Sequence, residues 1–211
     1  NGDKGICSIV LSTVDSPDFY KQYDGVKIAF NVWESTLYPD HFFKRLLEYD
    51  QLWVPSNWQR DCVIAQGYPK EKIKVIPEGI DGDLYKCLEG NRNQDTFNFI
   101  HVGKWEYRKS TKEIIETFIK TFPIEEYPNV RLFLLVDTSF PTDGMQSTNE
   151  RLKYYGFNSD TRIHDFSFQT KEGYINLLHS SDCFVSCARA EGWNLPLIEA
   201  MSCGIPSICS K

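Results

Sequence analysis

Short apolar runs alternate with segments of helical periodicity from about Lys27 to the end of the chain. When helices join successive strands and cover both faces of them, the strands form a parallel sheet and read as short apolar runs. The pattern therefore predicts an α/β fold. The predicted strands are 26–32, 52–55, 73–77, 97–102, 130–136, 162–168, 183–187 and 206–210. The predicted helices are 41–49, 57–66, one opening at 110, 149–155, 171–180 and 195–202.

Two segments carry a capping-box pattern, in which a Ser is followed three positions later by Gln or Glu. The first, from Ser56 to Gln59, predicts a helix that stops at Gly67. The second, from Ser110 to Glu113, predicts the start of a helix in the second half of the chain.

The composition changes between 79 and 95, where Gly, Asn and Asp are frequent, and this change predicts a linker. Residues 1–82 are predicted to be the C-terminal half of a Rossmann-like domain with a hinge, 83–95 the linker, and 96–211 a second Rossmann-like domain. The first part holds only about three predicted strands, whereas a doubly wound domain usually has about five or six. We therefore expect the N-terminal domain to be present only in part.

The balance of charges excludes one class of partner. Lys and Arg number 23 and Asp and Glu number 29, for a formal net charge of −6. Nucleic acid is not expected as the main partner, because binding to phosphate backbones needs a basic surface. No transmembrane segment or signal peptide is expected either, because no apolar run approaches the roughly 18 residues of a membrane span.

The seven cysteines are odd in number and include no Cys-x-x-Cys pair. Several stand among apolar residues, which favours buried free thiols over disulfides and a reducing, cytoplasmic location. The four histidines do not cluster with cysteines at the spacing of metal ligands, so no metal site is predicted.

A loop and helix near the end of the chain carry two carboxylates. A predicted strand ends near Cys187, and the loop that follows leads to a helix with Pro196 in its first turn. Ligands of open parallel sheets bind outside the carboxyl ends of the strands, where a helix N-terminus attracts phosphate. Glu191 in the loop and Glu199 in the helix suit the hydroxyls of a sugar or ribose. The alternative is that Glu191 is solvated and Glu199 only complements the helix dipole.

This segment resembles the signature of the retaining glycosyltransferases of family 4, in which one Glu follows another by eight positions. Glu191 and Glu199 have that spacing, and Gly192 follows the first. The resemblance implies that Glu191 faces the transferred sugar and that Glu199 holds the ribose of the nucleotide. It also implies that backbone amides face the sugar and diphosphate at Trp193, Asn194 and Leu195. The family usually has Phe-Gly where this chain has Trp193 and Asn194.

A second segment, residues 101–110, resembles the basic loop of the same family. In that loop one basic residue follows a Gly, and another stands a few positions later, just before a helix. Lys104 after Gly103 and Lys109 match these positions, with Arg108 as the adjacent alternative. The resemblance implies that both lysines hold the diphosphate, whose negative charge grows as the glycosidic bond breaks. Gly is common in the family where Ser110 stands.

Residues 53–58 and 67–81 resemble the family's passage between its two domains, with Gly79 and Asp81 as hinge and turn residues. On the acceptor side, Asn31 stands where the family often has a His, and Glu34 is nearby. An Asn cannot act as a base, although its amide can bind a hydroxyl.

The resemblance implies a GT-B fold, with two Rossmann-like domains facing across a cleft, and a metal-independent transferase of the hexosyl type. The expected reaction transfers a sugar from a nucleotide-diphosphate sugar, which is a co-substrate and not a cofactor, with retention of configuration. The acceptor, whether glycan, lipid or protein, is left open, as are peripheral membrane contact and oligomerisation. The alternative function is a nucleotide-sugar-binding module without turnover. A dinucleotide oxidoreductase is disfavoured, because no Gly-x-Gly-x-x-Gly follows a strand.

Overall fold

The computed structural model describes residues 7–11, 24–87, 95–137, 144–166 and 170–210. The chain divides into two compact units. The first comprises Asn1–Gly79 with Ala190–Trp193, and the second Ile80–Arg189 with Asn194–Lys211.

The first unit is built on a parallel sheet with the strand order β1-β2-β3-β4. These strands are Cys7–Leu11 (β1), Val26–Phe30 (β2), Gln51–Val54 (β3) and Ile73–Val75 (β4). Two helices accompany them, Asp40–Leu46 (α1) and Asn57–Ala65 (α2). The sequence pattern predicted about three strands here and missed β1.

The second unit is built on a parallel sheet with the order β7-β6-β5-β8-β9. The strands are Phe97–Lys104 (β5), Val130–Asp137 (β6), Ile163–Asp165 (β7), Cys183–Ser186 (β8) and Ser207–Cys209 (β9). The helices are Thr111–Thr121 (α3), Thr148–Tyr154 (α4), Lys171–His179 (α5) and Leu195–Ser202 (α6). The predicted α/β fold with parallel sheets is confirmed. Residues 167–168 of the predicted strand 162–168 lie outside the described residues.

Strand β6 shows why the parallel pattern was readable. Its residues alternate between two hydrophobic clusters that cover the two faces of the sheet. Leu132 and Leu134 pack with residues of α3, and Phe133 and Leu135 with residues of α5 and α6. Because both faces are covered, the strand reads as a continuous apolar run.

One predicted helix cap is confirmed and the other is wrong. The Ser56 hydroxyl accepts a hydrogen bond from the Gln59 amide at 3.2 Å, and Gly67 follows α2 with a φ of +105°. Ser110 also precedes a helix, but it has a φ of 55° and a ψ of 30°, and its side chain makes no capping hydrogen bond. Its left-handed backbone follows a 3₁₀ turn, and the carboxylate of Glu113 pairs with Arg189 instead of turning back to the helix end.

The predicted linker begins with residues that belong to the second unit. The Asp81 carboxylate accepts hydrogen bonds from the amides of Asp83 and Leu84, both at 3.1 Å, and so forms a turn. Tyr85, which the sequence pattern assigned to the linker, is 5% exposed and packs in the core of the second unit. Residues 88–94 of the predicted linker lie outside the described residues.

The sequence predicts buried free thiols at the cysteines. The cysteines are free thiols, of which Cys183 and Cys203 are buried, while Cys7, Cys87 and Cys209 are exposed. Burial raises the pKa of the Cys183 and Cys203 thiols above the usual value.

Within the described ranges, no helix has the length and apolar character that crossing a membrane requires.

Candidate active site

The strand order of the second unit changes direction between β5 and β8. From β5 the chain passes to β6 and β7 on one side, and it then returns to β8 and β9 on the other side. β5 and β8 are hydrogen-bonded neighbours. Ligands of open parallel sheets bind at such a switch point, outside the carboxyl ends of the strands. The segments that leave these two ends are residues 103–110, here called the basic loop, and residues 187–194, and each carries part of one of the two sequence motifs.

The basic loop gathers three cationic side chains in a short space. Lys104 ends β5, and Arg108 and Lys109 lie in the 3₁₀ turn that follows. A Cβ added to Gly103 would lie 3.5 Å from Cδ of Lys109, so the lysine stem packs on the glycine backbone. The Arg108 guanidinium donates to a carboxylate oxygen of Glu106 at 3.4 Å. The loop can therefore present positive charge at the switch point.

Arg189 ties the segment after β8 to the basic loop. Its backbone amide donates to the carbonyl of Arg108 at 2.7 Å, and its Nε donates to the carbonyl of Tyr107 at 3.3 Å. Its Nη2 donates to Glu113 at 2.7 Å, and its guanidinium lies 4.2 Å from the centroid of the Tyr107 ring. The planar five-donor guanidinium suits such a set of partners. The sequence motifs did not identify Arg189, because its partners are 76 to 82 residues away.

His101 lies beneath the basic loop and is fully buried. Its Nδ1 lies 2.9 Å from the carbonyl oxygen of Val185 in β8, so this nitrogen carries the proton and donates. Its Nε2 then accepts from the hydroxyl of Thr111, at 3.0 Å, at the start of α3. Burial lowers the pKa of His101 to about 4, and the positive charge of Lys109 acts in the same direction. A neutral histidine thus connects β5, β8 and α3 under the loop.

Helix α6 begins at a residue with left-handed backbone. Asn194 has a φ of 63° and a ψ of 59°, and its Nδ2 donates to the hydroxyl of Ser186 at 3.0 Å. Among the described residues other than glycine, only Ser110 and Asn194 have a positive φ. Both stand where the resembling family has Gly, which adopts this conformation at little cost. Asn is one of the few other residues that tolerate it.

The backbone at Asn194 leads to a stability prediction. We expect Asn194→Ala to lower the free energy of unfolding by about 1–2 kcal/mol, because Ala tolerates the left-handed region poorly and cannot bond Ser186. Asn194→Gly should stay within about 0.5 kcal/mol of the parent, since relief of backbone strain offsets the lost hydrogen bond. Urea denaturation measures both variants. Equal losses for Ala and Gly would contradict this account.

Glu199 lies in α6, about one turn into the helix, and accepts two tyrosine hydroxyls. Tyr174 of α5 donates to Oε2 at 2.7 Å, and Tyr85 donates to the same carboxylate. Burial raises the pKa of both tyrosines, and the neighbouring carboxylate raises it further. Both hydroxyls therefore stay protonated and donate. Sequence analysis predicted a role for Glu199 but missed Tyr85 and Tyr174, which no motif marked.

Residues 190–193 group with the first unit, so the predicted site residues fall in two sets. Glu191, Gly192 and Trp193 are half-buried in the first unit. Within that unit, a Cβ added to Gly192 would overlap the side chain of Val32, so a larger residue requires a shift. The second unit holds the others: Gly103, Lys104, Arg108, Lys109, Asn194, Leu195 and Glu199.

Asn31 lies in a buried network of the first unit. It is 3% exposed, and the hydroxyl of Tyr38 donates to its Oδ1 at 2.8 Å. Gln59 donates to the Asn31 carbonyl at 2.9 Å and to the Tyr38 hydroxyl at 2.6 Å. Glu34 is exposed in the segment that joins β2 to α1. The side-chain oxygen of Asn31 thus already accepts a hydrogen bond in the interior of this unit.

The fold and the site define the class: an α/β protein with parallel sheets that resembles GT-B glycosyltransferases. With 17% identity and a TM-score of 0.71, the chain is similar to the Anabaena protein Alr3699/HepE, solved in complex with UDP and glucose. This likeness covers 91% of the chain and 55% of the Anabaena protein. The family model described as glycosyl transferases group 1 matches residues 89–211, and the chain belongs to this family.

Two curated relatives show how much of a longer protein the chain resembles. An uncharacterized glycosyltransferase of Methanocaldococcus jannaschii, MJ1059, is 26% identical over 176 residues, which is 79% of this chain and 41% of the relative. The O-antigen chain mannosyltransferase B of Escherichia coli is 26% identical over 118 residues, 53% of this chain and 28% of the relative. The chain thus spans less than half the length of each.

Proposed function

We propose that this chain contributes the donor site of a retaining glycosyltransferase of family 4, which uses a nucleotide-diphosphate sugar. The observation that carries the proposal is that the basic loop and the segment leading to α6 follow the paired strands β5 and β8 at the switch point of the second unit and are joined by Arg189. Membership of the group 1 family supports it. The Anabaena protein of similar fold, which was solved with UDP-glucose, supports the class of donor.

In the proposed site, Lys104 and Lys109 bind the diphosphate. A nucleoside diphosphate gains negative charge as it leaves the sugar, and fixed cations near it lower the barrier to that step. Arg189 holds the loop that carries these lysines. Because the lysines supply the positive charge, the proposed chemistry uses neither a metal ion nor a cofactor.

The sugar side of the proposal involves residues 191–195. Glu191 would face the transferred hexose, with the amides of Trp193, Asn194 and Leu195 near the sugar and the diphosphate. In the transfer, the acceptor oxygen forms a bond to the anomeric carbon while the bond from that carbon to the diphosphate oxygen breaks. The acceptor's proton passes to the leaving diphosphate, and the configuration is retained.

The acceptor side is proposed to include Asn31 and Glu34 of the first unit. The exposed Glu34 is the better placed of the two to meet a hydroxyl, because Asn31 is buried with Tyr38 and Gln59. The acceptor is a glycan, lipid or protein bearing a hydroxyl, and the reaction is proposed to occur in the cytoplasm.

Calorimetric titration with a panel of nucleoside diphosphates and their sugars, run beside transfer and hydrolysis assays, tests the proposal. We expect one nucleoside diphosphate to bind more tightly than its nucleoside, and its sugar to be turned over. Binding without turnover would make the chain a nucleotide-sugar-binding module. The donor proposal is wrong if none of the panel binds.

The two glutamates should respond differently to substitution. We expect Glu199→Ala to weaken binding of the free nucleoside diphosphate and of the nucleotide sugar alike, by roughly 1.5–3 kcal/mol for a lost charge-assisted hydrogen bond. Glu191→Ala should weaken binding of the nucleotide sugar by a similar amount and leave binding of the free nucleoside diphosphate nearly unchanged. Calorimetry on both ligands checks this. Equal losses for both ligands in both variants would argue against the assigned roles.

A further inference from the structure

The carboxylate of Glu199 is held from two separate elements of the second unit. Tyr174 reaches it from α5, with 2.7 Å between its hydroxyl and Oε2, and Tyr85 reaches it from the turn that precedes β5. The two rings are buried, with exposures of 5% for Tyr85 and 8% for Tyr174. They meet edge to face, with centroids 6.2 Å apart. Both hydroxyls are thus delivered from packed positions.

Tyr85 is itself anchored on both sides. Its amide donates to the carbonyl of Asp81 at 2.9 Å, and its own carbonyl accepts the hydroxyl of Ser202 at 2.5 Å. Ser202 belongs to α6, the same helix as Glu199. The turn and the helix are therefore connected twice, once through the backbone of Tyr85 and once through its hydroxyl.

Packing alone does not require these hydroxyls. Two phenylalanines would fill nearly the same volume in the hydrophobic cluster that surrounds Tyr85 and Tyr174. The hydroxyls instead restrict the orientation of the Glu199 carboxylate. Each donates to this half-buried group, whose side chain otherwise has several rotamers. A carboxylate offers about four acceptor sites, so two tyrosine hydroxyls leave sites for two further donors. The two hydroxyls of a ribose are such a pair.

We propose that Tyr85 and Tyr174 are positioning residues that orient Glu199 to accept both hydroxyls of the nucleotide's ribose. This inference rests on the proposed function, which places the nucleotide at α6. Its consequence is selectivity: the site prefers a ribonucleotide to a deoxyribonucleotide, and the two tyrosine hydroxyls set the size of that preference.

The test uses UDP and 2′-deoxy-UDP, or GDP and 2′-deoxy-GDP if the parent protein binds GDP more tightly. We expect the parent to bind the ribonucleotide roughly 10-fold or more tightly than the deoxynucleotide, since a hydrogen bond to a charged group is lost. Tyr174→Phe and Tyr85→Phe should each reduce this preference several-fold, and the double variant should nearly abolish it. Affinity for the deoxynucleotide should fall less, because it keeps only the 3′-hydroxyl as a donor to Glu199. Calorimetric titration measures both nucleotides on the parent and on the three variants.

Two controls separate positioning from a general loss of structure. Tyr154→Phe removes a hydroxyl from a side chain that is 73% exposed in α4, and it should leave the preference unchanged. Glu199→Gln in the parent should abolish the preference, and in the double tyrosine variant it should add little, because residues acting through one group are not additive. Circular dichroism and thermal melting confirm that each variant is folded.

The outcomes are distinct. If the tyrosine substitutions lower the affinities for the ribonucleotide and the deoxynucleotide by the same factor, the tyrosines only support the fold and the inference is overturned. If the parent binds a nucleoside diphosphate without any ribose preference, the donor proposal stands and the inference fails. If the parent binds no nucleoside diphosphate of the panel but its melting curve is normal, both are overturned.

Discussion

Replacing Lys104 and Lys109 together by alanine should lower the affinity for a nucleoside diphosphate by roughly 100-fold or more, since each lysine contributes a charge-assisted hydrogen bond of roughly 1.5–3 kcal/mol. The affinity for the matching nucleoside should stay nearly unchanged, because a nucleoside carries no phosphate charge. Each single substitution should cause a part of this loss of affinity for the diphosphate. Titration calorimetry with the diphosphate and the nucleoside measures the difference directly.

Arg108→Ala is the matched control in the same loop. Arg108 pairs with Glu106 at 3.4 Å. We expect its removal to weaken diphosphate binding less than the removal of either lysine, because Lys104 and Lys109, and not Arg108, match the basic positions of the family's loop. Salt provides a second readout: diphosphate affinity should fall with ionic strength in the parent and fall less steeply in the lysine variants. If diphosphate and nucleoside affinities drop together, or if Arg108 alone matters, the assignment of the loop is wrong.

Acidification should destabilise the second unit through His101. The pKa of this histidine is about 4 in the folded chain and 6.5 without the fold, so the unfolded chain binds a proton first as the pH falls. The stability that the neutral, buried ring contributes is therefore complete above about pH 6.5 and is lost progressively as the pH falls towards 4. Over that range the loss amounts to about 3 kcal/mol. Denaturant unfolding at a series of pH values measures it.

The control for this titration is His101→Asn, in which the amide nitrogen can still donate towards the Val185 carbonyl but does not titrate. The difference in pH dependence between parent and variant isolates His101 from other groups. This matters because burial also lowers the pKa of His164, which adds a pH-dependent contribution of its own. The same pH dependence of unfolding stability in both proteins would contradict the assignment of His101 as a buried, neutral histidine that hydrogen-bonds β8 and α3.

Much of the second unit was readable from local patterns. The apolar runs of β5, β6 and β8 and the helical spacing of α3 and α5 predicted the order of elements, because burial on both faces of a parallel sheet leaves a simple periodic signal. The pairing of β5 with β8 was not in the pattern, since parallel strands that pair are far apart in sequence.

Local patterns failed where a distant residue competes for a side chain or changes the backbone. The Ser110 to Glu113 pattern matches a capping box, but Glu113 pairs with Arg189, 76 residues away, and Ser110 adopts a left-handed backbone. Tyr85 was assigned to a linker because Gly, Asn and Asp are frequent between 79 and 95, whereas it is buried in a cluster with residues of α5 and α6. A capping preference of about 1 kcal/mol is readily outweighed by such tertiary contacts.

Residue types and their periodicity along the chain determined the α/β class and the places of the two motif loops, and the resemblance to a family supplied the candidate donor residues from Lys104 to Glu199. Only the tertiary structure decided how these residues are held: by Arg189 across the two loops, by His101 beneath them, and by Tyr85 and Tyr174 at the carboxylate. The physical reason is the range of the interactions involved. Strand and helix periodicity depends on neighbours within a few residues. By contrast, the hydrogen bonds of Tyr174 to Glu199, Arg189 to Glu113 and His101 to Val185 join residues 25, 76 and 84 positions apart, which meet only after the sheet and helices have packed.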